Sequence, residues 1–109
     1  MECAKTREQD TTPIQEFLAS LNNKNKAKII SIISRYAEFG KISNREQFKK
    51  VDAVFWEFKS FQIRVFMYHC ERGCIALTHG FIKKGDKIPP AEIVRAYKIK
   101  ELYDEIRRR

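Results

Sequence analysis

Apolar positions recur at helical spacing between residues 12 and 40. The first helix has Thr12 as its capping residue, Pro13 at its first position and Gln15 at the capping-box position. A second helix can begin after the capping residue Asn22 and end at Gly40. Apolar residues at i, i+3, i+4 and i+7 support both predictions: Ile14, Phe17, Leu18 and Leu21 in the first helix, and Ile29, Ile30, Ile33, Tyr36 and Ala37 in the second.

The period of the pattern changes to two after residue 53, which predicts strands with two different faces. In the first run, Val54, Trp56 and Phe58 alternate with Phe55, Glu57 and Lys59. In the second run, Phe61, Ile63, Val65 and Met67 alternate with Gln62, Arg64, Phe66 and Tyr68. The short gap between the runs predicts a tight antiparallel hairpin. After a turn at Glu71–Gly73, a third strand is predicted from about Cys74 to Ile82, and Pro89–Pro90 begin a last helix.

These elements predict a single domain over residues 1–109 with an α+β fold. Two N-terminal helices and one C-terminal helix would pack on the apolar face of a small antiparallel sheet, a three-strand meander. Residues 1–11 are weakly patterned, and we expect either a frayed tail or a short fourth strand at the N-terminal edge of the sheet.

The alternation also predicts which side chains share a face of the sheet. If Trp56, Phe58, Ile63 and Val65 face the helices, the opposite face carries Glu57, Lys59, Gln62 and Arg64. Lys83 and Lys84 would reach the rim of this polar face from the end of the third strand.

Composition and charge restrict the classes of function. A chain of 109 residues with 43% hydrophobic residues can bury a core, and no apolar run approaches the roughly 18 residues of a membrane span. The absence of an apolar signal region and the odd count of three cysteines predict a cytoplasmic protein with reduced thiols. The net charge is +8, and residues 41–109 hold sixteen Lys/Arg against nine Asp/Glu. This asymmetry favours a polyanionic partner, such as nucleic acid, an acidic protein or an anionic membrane.

Arg64 is flanked by apolar residues in the middle of a predicted strand, where an arginine usually has a partner. One interpretation is a cross-strand ion pair with Glu57. The other is a fork-shaped donor for phosphate oxygens, and both interpretations can hold together. Lys59, Lys83, Lys84 and Lys87 are weak signals singly, but with Arg64 they form one basic cluster.

The remaining candidates each have a structural and a functional interpretation. His79 has the parity of Ile75, Leu77 and Phe81, meaning that alternate positions place all four on the same face of the strand. This face is the expected core side, which favours a packed, hydrogen-bonded histidine over a general base. Phe66 and Tyr68 share the parity of Arg64, so they either stack an RNA base or lie buried under another part of the chain. The His and Cys residues lack the close spacing of zinc ligands, so no metal or other cofactor is expected.

Several short pieces occur in a characteristic order and spacing between about Thr12 and Tyr103. The pieces are Pro13–Leu18 with Leu21, Ala37–Gly40, Trp56–Ser60, Gln62–Arg64, Thr78–Phe81, Lys83–Lys84, Lys87, Pro89, Glu92–Ile93 and Ala96. Through them the chain resembles the RelE/HigB-like toxin superfamily, in its branch of phage-derived host-inhibition proteins.

The resemblance implies a toxin of a type II toxin–antitoxin system, a ribosome-dependent endoribonuclease that cuts mRNA by attack of the 2′-hydroxyl. It implies as partners the ribosome, mRNA and a cognate antitoxin encoded alongside, expected to be a small helix-turn-helix protein, and no membrane. By position, the catalytic residues would be Lys59, Arg64, Lys83 and Lys84. Arg64 and Lys84 are expected at the phosphate, and Lys59 and Lys83 are expected to orient RNA or transfer protons. Glu57 and His79 are alternative acid–base groups, and Lys87, Gln62, Phe66 and Tyr68 are candidates for RNA binding.

Overall fold

The structure, a computed structural model, describes the backbone of residues 2–3 and, in full, residues 12–70 and 73–107. The predicted turn residues Glu71 and Arg72 and most of the N-terminal segment lie outside this range. No helix of the described part is both long and apolar enough to cross a membrane.

The two N-terminal helices form where the capping residues predict them. Helix α1 spans Pro13–Ser20, and its capping box is complete. The backbone NH of Gln15 donates to Thr12 Oγ1 over 3.1 Å, and the NH of Thr12 donates to Gln15 Oε1 over 2.9 Å. Helix α2 spans Asn23–Phe39 after the cap Asn22 and ends at Gly40, whose φ of 74° is the left-handed value that glycine adopts freely.

Within the part of the chain that the structure describes, five strands form one sheet in the order β1-β5-β4-β3-β2. The strands are β1 (Glu2–Cys3), β2 (Phe48–Lys50), β3 (Phe55–Ser60), β4 (Ile63–His69) and β5 (Ile75–Ile82). The antiparallel meander β3-β4-β5 confirms the prediction. Glu2–Cys3 pair in parallel with β5, so the N-terminal segment does contribute a short edge strand. The three-residue strand β2 at the other edge was not predicted, because it is too short to show alternation.

Both faces of the sheet carry an apolar core, which corrects the prediction that all helices pack on one face. Helices α1 and α2 cover the face that carries Phe58, Ile63, Val65 and Met67. Helix α3 (Pro90–Arg107) covers part of the opposite face through Ala96 and Tyr103, which pack with Phe55, Phe66, Tyr68, Ala76 and Phe81. The uncovered end of that second face is where the polar residues lie.

A register shift in the β4–β5 ladder explains how β5 serves both cores. Val65 pairs with Gly80 and Met67 with Leu77, so β5 contains one residue more than β4 between these pairs. Leu77 therefore packs with α1 and α2, whereas His79 and Phe81 face α3. The prediction that Leu77, His79 and Phe81 share one face was wrong for this reason.

Candidate functional site

A buried ion pair between neighbouring strands forms the centre of the polar end of the sheet. Only 3% of Glu57 on β3 and 6% of Arg64 on β4 are exposed, and Arg64 Nε lies 3.0 Å from Glu57 Oε1. Arg64 Nη1 also donates to the carbonyl oxygens of Phe61 and Ile63, over 2.6 and 2.9 Å. The predicted cross-strand pair is confirmed, and the guanidinium is held from both sides.

Further cations surround this pair. Lys49 of β2 lies opposite Glu57 in the ladder, and Lys59 lies opposite Arg64. Lys83, just beyond β5, donates its backbone NH to the carbonyl of Gln62 over 2.7 Å, which joins the end of β5 to the β3–β4 turn. We call Lys49, Glu57, Lys59, Arg64 and Lys83 the Glu57 cluster.

The Glu57 cluster perturbs the titration of two of its own members. Burial raises the pKa of Glu57, and the positive charges of Arg64, Lys59, Lys83 and Lys49 oppose that rise. Burial and the charge of Arg64 lower the pKa of Lys59, with smaller effects of Lys49 and Lys83, and Glu57 opposes them. A lysine whose pKa is lowered in this way can give up its proton more readily than an exposed lysine.

The structure leaves one predicted catalytic residue, Lys84, and two predicted RNA-binding residues, Gln62 and Lys87, outside this cluster. Gln62 is exposed in the β3–β4 turn, and Lys84 and Lys87 are exposed in the loop that follows β5. No contact within the described part of the chain joins the side chain of Lys84 or Lys87 to Glu57 or Arg64. Any role of these two lysines therefore depends on a partner that reaches the loop.

Phe66 and Tyr68 are buried beneath α3, as the structural interpretation of their parity predicts. Phe66 is 0% and Tyr68 3% exposed, and both belong to the core that includes Ala96 and Tyr103 of α3. A base cannot stack on either ring unless α3 moves away. Of the two alternatives that the sequence left open for these rings, the structure therefore shows burial.

His79 is a packed, hydrogen-bonded histidine, as its parity predicts, but it lies on the α3 side of the sheet. The imidazole is fully buried, with Nε2 3.1 Å from Glu92 Oε1 and Nδ1 3.1 Å from Thr78 Oγ1. Burial and Arg95 lower its pKa, whereas Glu92 opposes this change. The observed contacts join β5 to α3 and give the imidazole a structural role.

Two parts of the site were missed by sequence reasoning. Lys49 lies on the unpredicted strand β2. It precedes Lys50 in the sequence, and two adjacent lysines are usually solvated, so they gave no signal of a site. A cleft of about 790 Å³ also lies between α2, the loop before β2 and the end of β3. Lys59 and Arg64 line this cleft together with Phe61, Lys28 and Arg35. Lys28 and Arg35 lie off the apolar stripe of α2, a position that favours a solvated face and leaves contact with an RNA backbone as the alternative.

Within residues 12–70 and 73–107, no group of three or more His, Cys, Asp or Glu side chains is arranged to hold a metal ion.

Comparison with known proteins places the chain in a family. Residues 16–101 match the family described as phage-derived protein Gp49-like (DUF891), and the chain belongs to this family. The matched segment contains every member of the Glu57 cluster. No curated protein matches the chain.

Proposed function

We propose that this protein is the toxin of a type II toxin–antitoxin system, a ribosome-dependent endoribonuclease that cleaves mRNA. Three observations support the proposal: the resemblance to RelE/HigB-like toxins, the membership of a phage-derived family and the basic polar end of the sheet. Such a protein would act in the cytoplasm, where translating ribosomes are found.

The Glu57 cluster is the observation that carries this proposal. Cleavage of a phosphodiester develops negative charge on the phosphate oxygens, and donors held in advance stabilise that charge most effectively. The guanidinium of Arg64 is held by Glu57 and by the carbonyl oxygens of Phe61 and Ile63, so it does not need to be ordered when RNA binds. Lys49, Lys59 and Lys83 add positive charge around it.

The proposed reaction begins when the 2′-oxygen attacks the adjacent phosphorus. Lys59 in its neutral form accepts the proton of the 2′-hydroxyl, since its pKa is lowered. Arg64 stabilises the phosphate, with Lys84 approaching it from the loop. The bond between phosphorus and the 5′-oxygen breaks, and protonated Lys83 supplies a proton to that oxygen. The products are a 2′,3′-cyclic phosphate and a 5′-hydroxyl end.

The ribosome is proposed to position the substrate. The cations of the Glu57 cluster stabilise charge on the phosphate, but they do not by themselves hold the 2′-oxygen in line with the bond that breaks. We therefore expect little cleavage of free RNA and clear cleavage of mRNA on translating ribosomes.

The direct test combines growth with mapping of transcript ends. Expression of the chain should arrest growth and produce new 5′-hydroxyl ends within translated mRNA. K59A, R64A and K84A should each lose this activity, whereas K98A, which changes an exposed lysine of α3, should retain it. Full toxicity of all three variants at matched expression would show that the site is elsewhere.

An antitoxin is proposed to cover the basic end of the sheet, or to dock on a neighbouring helix and distort it. Acidic residues would speed encounter, and an apolar anchor would supply most of the affinity. The test is co-expression with the adjacent gene and co-purification at low salt and at about 0.5 M salt, where exposed charge pairs are screened within a few ångströms. The absence of both a complex and growth rescue would contradict this assignment.

One observation favours a second candidate, a non-catalytic module that binds RNA or the ribosome on the same fold. Arg64 already contacts Glu57 and two carbonyl oxygens in the free chain, which limits what it can offer a phosphate. This candidate predicts stalled ribosomes with intact transcripts, so the mapping of 5′ ends separates the two functions.

A further inference from the structure

Phe61 is an exposed aromatic residue in a backbone conformation that disfavours it. It occupies the first position of the two-residue turn between β3 and β4, with φ of 54°, and 72% of it is exposed. Turns with a positive φ at this position favour glycine, and an ordinary L-residue there costs about 1–2 kcal/mol. A bulky ring that is neither buried nor conformationally favoured is an outlier of the kind found at binding sites.

The ring of Phe61 forms part of the cleft between α2 and the end of β3. This cleft has a volume of about 790 Å³, within the range of small-ligand sites of roughly 300–1,000 Å³. The strand β2 begins at Phe48, opposite Phe58, and the last hydrogen bond on this side runs from the NH of Lys59 to the carbonyl of Gln47 over 2.8 Å. Ser60 and the β3–β4 turn therefore extend beyond β2, and the cleft lies beside them.

The charge of the cleft is predominantly positive. Lys28 Nζ lies 4.6 Å from the centre of the Phe61 ring. Arg35 lies seven residues, or about two helical turns, further along α2, and its Nη1 donates to Gln47 Oε1 over 3.2 Å. Glu46 is the one acidic residue in the lining, against Lys28, Arg35, Lys59 and Arg64.

The cleft is continuous with the Glu57 cluster, because Lys59 and Arg64 belong to both. If a polyanion places one phosphate at the Glu57 cluster, its neighbouring repeat unit therefore lies at the opening of the cleft. Single-stranded RNA combines a backbone of repeated phosphates with flat bases that stack on aromatic rings.

We propose that this cleft binds one nucleotide of single-stranded RNA next to the phosphate held at the Glu57 cluster, with its base stacked on Phe61. Lys28 and Arg35 contact the backbone of that nucleotide. The inference rests on the proposed function for the identity of the bound polymer, and it adds a positioning residue, Phe61, outside the acid–base chemistry. An acidic peptide of a partner protein is the competing occupant, whereas a nucleotide carries a phosphate and a flat base within one unit, as the basic lining and the adjacent ring of Phe61 require.

The test uses a short single-stranded RNA that carries 2-aminopurine and 2′-deoxy sugars, so that it binds but cannot be cleaved. Stacking of the fluorescent base on Phe61 should quench its emission. F61A should weaken binding about 5- to 100-fold and abolish the quenching, which is the usual effect of losing one base stack. F61W should restore both, and F61L, which is apolar but not aromatic, should not.

Phe39 offers a matched control, since it is an aromatic residue of α2 that is 67% exposed and does not line this cleft. F39A should leave affinity and quenching unchanged. K28A should weaken binding several-fold and reduce the salt dependence by about one phosphate contact.

The outcomes separate this inference from the proposed function. Weaker binding by F61A, with rescue by F61W, supports the cleft even if no mRNA is cleaved on ribosomes. Equal binding of wild type and F61A overturns the inference even if cleavage is observed. Failure of the oligonucleotide to bind, together with binding of an acidic peptide that F61A weakens, would assign the cleft to a protein partner and also overturn it.

Discussion

Lys59 lies directly opposite Arg64 in the β3–β4 ladder, so two positive side chains share one cross-strand position. Like charges in directly opposed positions destabilise a sheet. Glu57, two residues before Lys59, offsets part of this repulsion through its ion pair with Arg64. The arrangement keeps one cation paired and leaves the other with a lowered pKa.

This relationship predicts how cleavage depends on pH. If neutral Lys59 accepts the proton of the 2′-hydroxyl, the rate should rise with pH and level off above the lowered pKa of Lys59. K59A should lose about 100- to 10,000-fold in rate, the usual contribution of general acid–base catalysis, and should lose this dependence. The measurement is the single-turnover rate on programmed ribosomes at a series of rising pH values, over which the neutral fraction of Lys59 increases.

K98A is the control for that experiment, because it removes an exposed lysine from α3. A pH profile of K59A with the slope of the wild type would assign the base to another group. Under that result, E57Q is the next variant to examine, since burial raises the pKa of the Glu57 carboxyl.

Removal of Arg64 should affect stability as well as activity. R64A leaves the carboxylate of Glu57 buried without its closest cation, and breaking a buried pair in this way typically costs about 3–5 kcal/mol. The double variant E57Q/R64A should recover part of the lost free energy of unfolding, because the glutamine at position 57 leaves no unpaired charge buried. The free energy of unfolding of both variants in urea measures the difference. Equal stability of R64A and wild type would mean that solvent or a neighbouring lysine compensates Glu57.

Gly80 is required by the approach of helix α1 to the sheet. A Cβ at Gly80 would collide with the ring of Phe17, a half-buried residue of α1. G80A should therefore lower the free energy of unfolding by about 1–3 kcal/mol, the usual cost of overpacking. Gly85 has open space at the same position and gives the control G85A, which should be close to neutral. If F17L does not restore part of the stability of G80A, the collision is not the cause.

Asp52 should make the stability of the α3 contact depend on pH. Its Oδ1 accepts from the backbone NH groups of Val54 and Phe55, and its Oδ2 accepts from the hydroxyl of Tyr97 on α3 over 2.8 Å. These hydrogen bonds and the charge of Lys50 lower the pKa of Asp52 despite the opposing effect of burial. A carboxyl with a lowered folded-state pKa stabilises the fold above its unfolded pKa of about 3.9, and this contribution is lost as pH falls below that value.

D52N should therefore be less stable than wild type at neutral pH, by about 1–2 kcal/mol for hydrogen bonds to a charged group. The difference should narrow as the pH falls below about 4. Urea unfolding at neutral pH and below about pH 4 measures this difference in the free energy of unfolding. Y97F provides a comparison, because it removes only the contact to α3. A difference that stays constant with pH would exclude titration of Asp52 as the source.

The amino-acid sequence by itself determined the helices, the central hairpin and the identity of the cationic residues. Caps such as Thr12 and Asn22 and the stripes of α1 and α2 act over one or two helical turns, so local spacing shows them directly. Alternation along β3 and β4 likewise placed Glu57, Lys59 and Arg64 on one face, and the ion pair followed from their opposite charges.

Only the tertiary structure decided what covers each face and which end of the sheet stays accessible. Phe66 and Tyr68 have the parity of Arg64, but α3 lies over them and not over the Glu57 cluster, and no local pattern specifies where a distant helix docks. The extra residue in β5 moved His79 and Phe81 to the α3 side, because one inserted residue reverses every later side chain in a strand of period two. Phe61 fits the apolar alternation of Ile63, Val65 and Met67, which suggests a buried strand residue. It is exposed at the cleft only because the hairpin turn falls at its position. The helices and strands form from interactions between residues close in sequence. Which of their side chains stay accessible is decided by contacts between residues far apart in sequence.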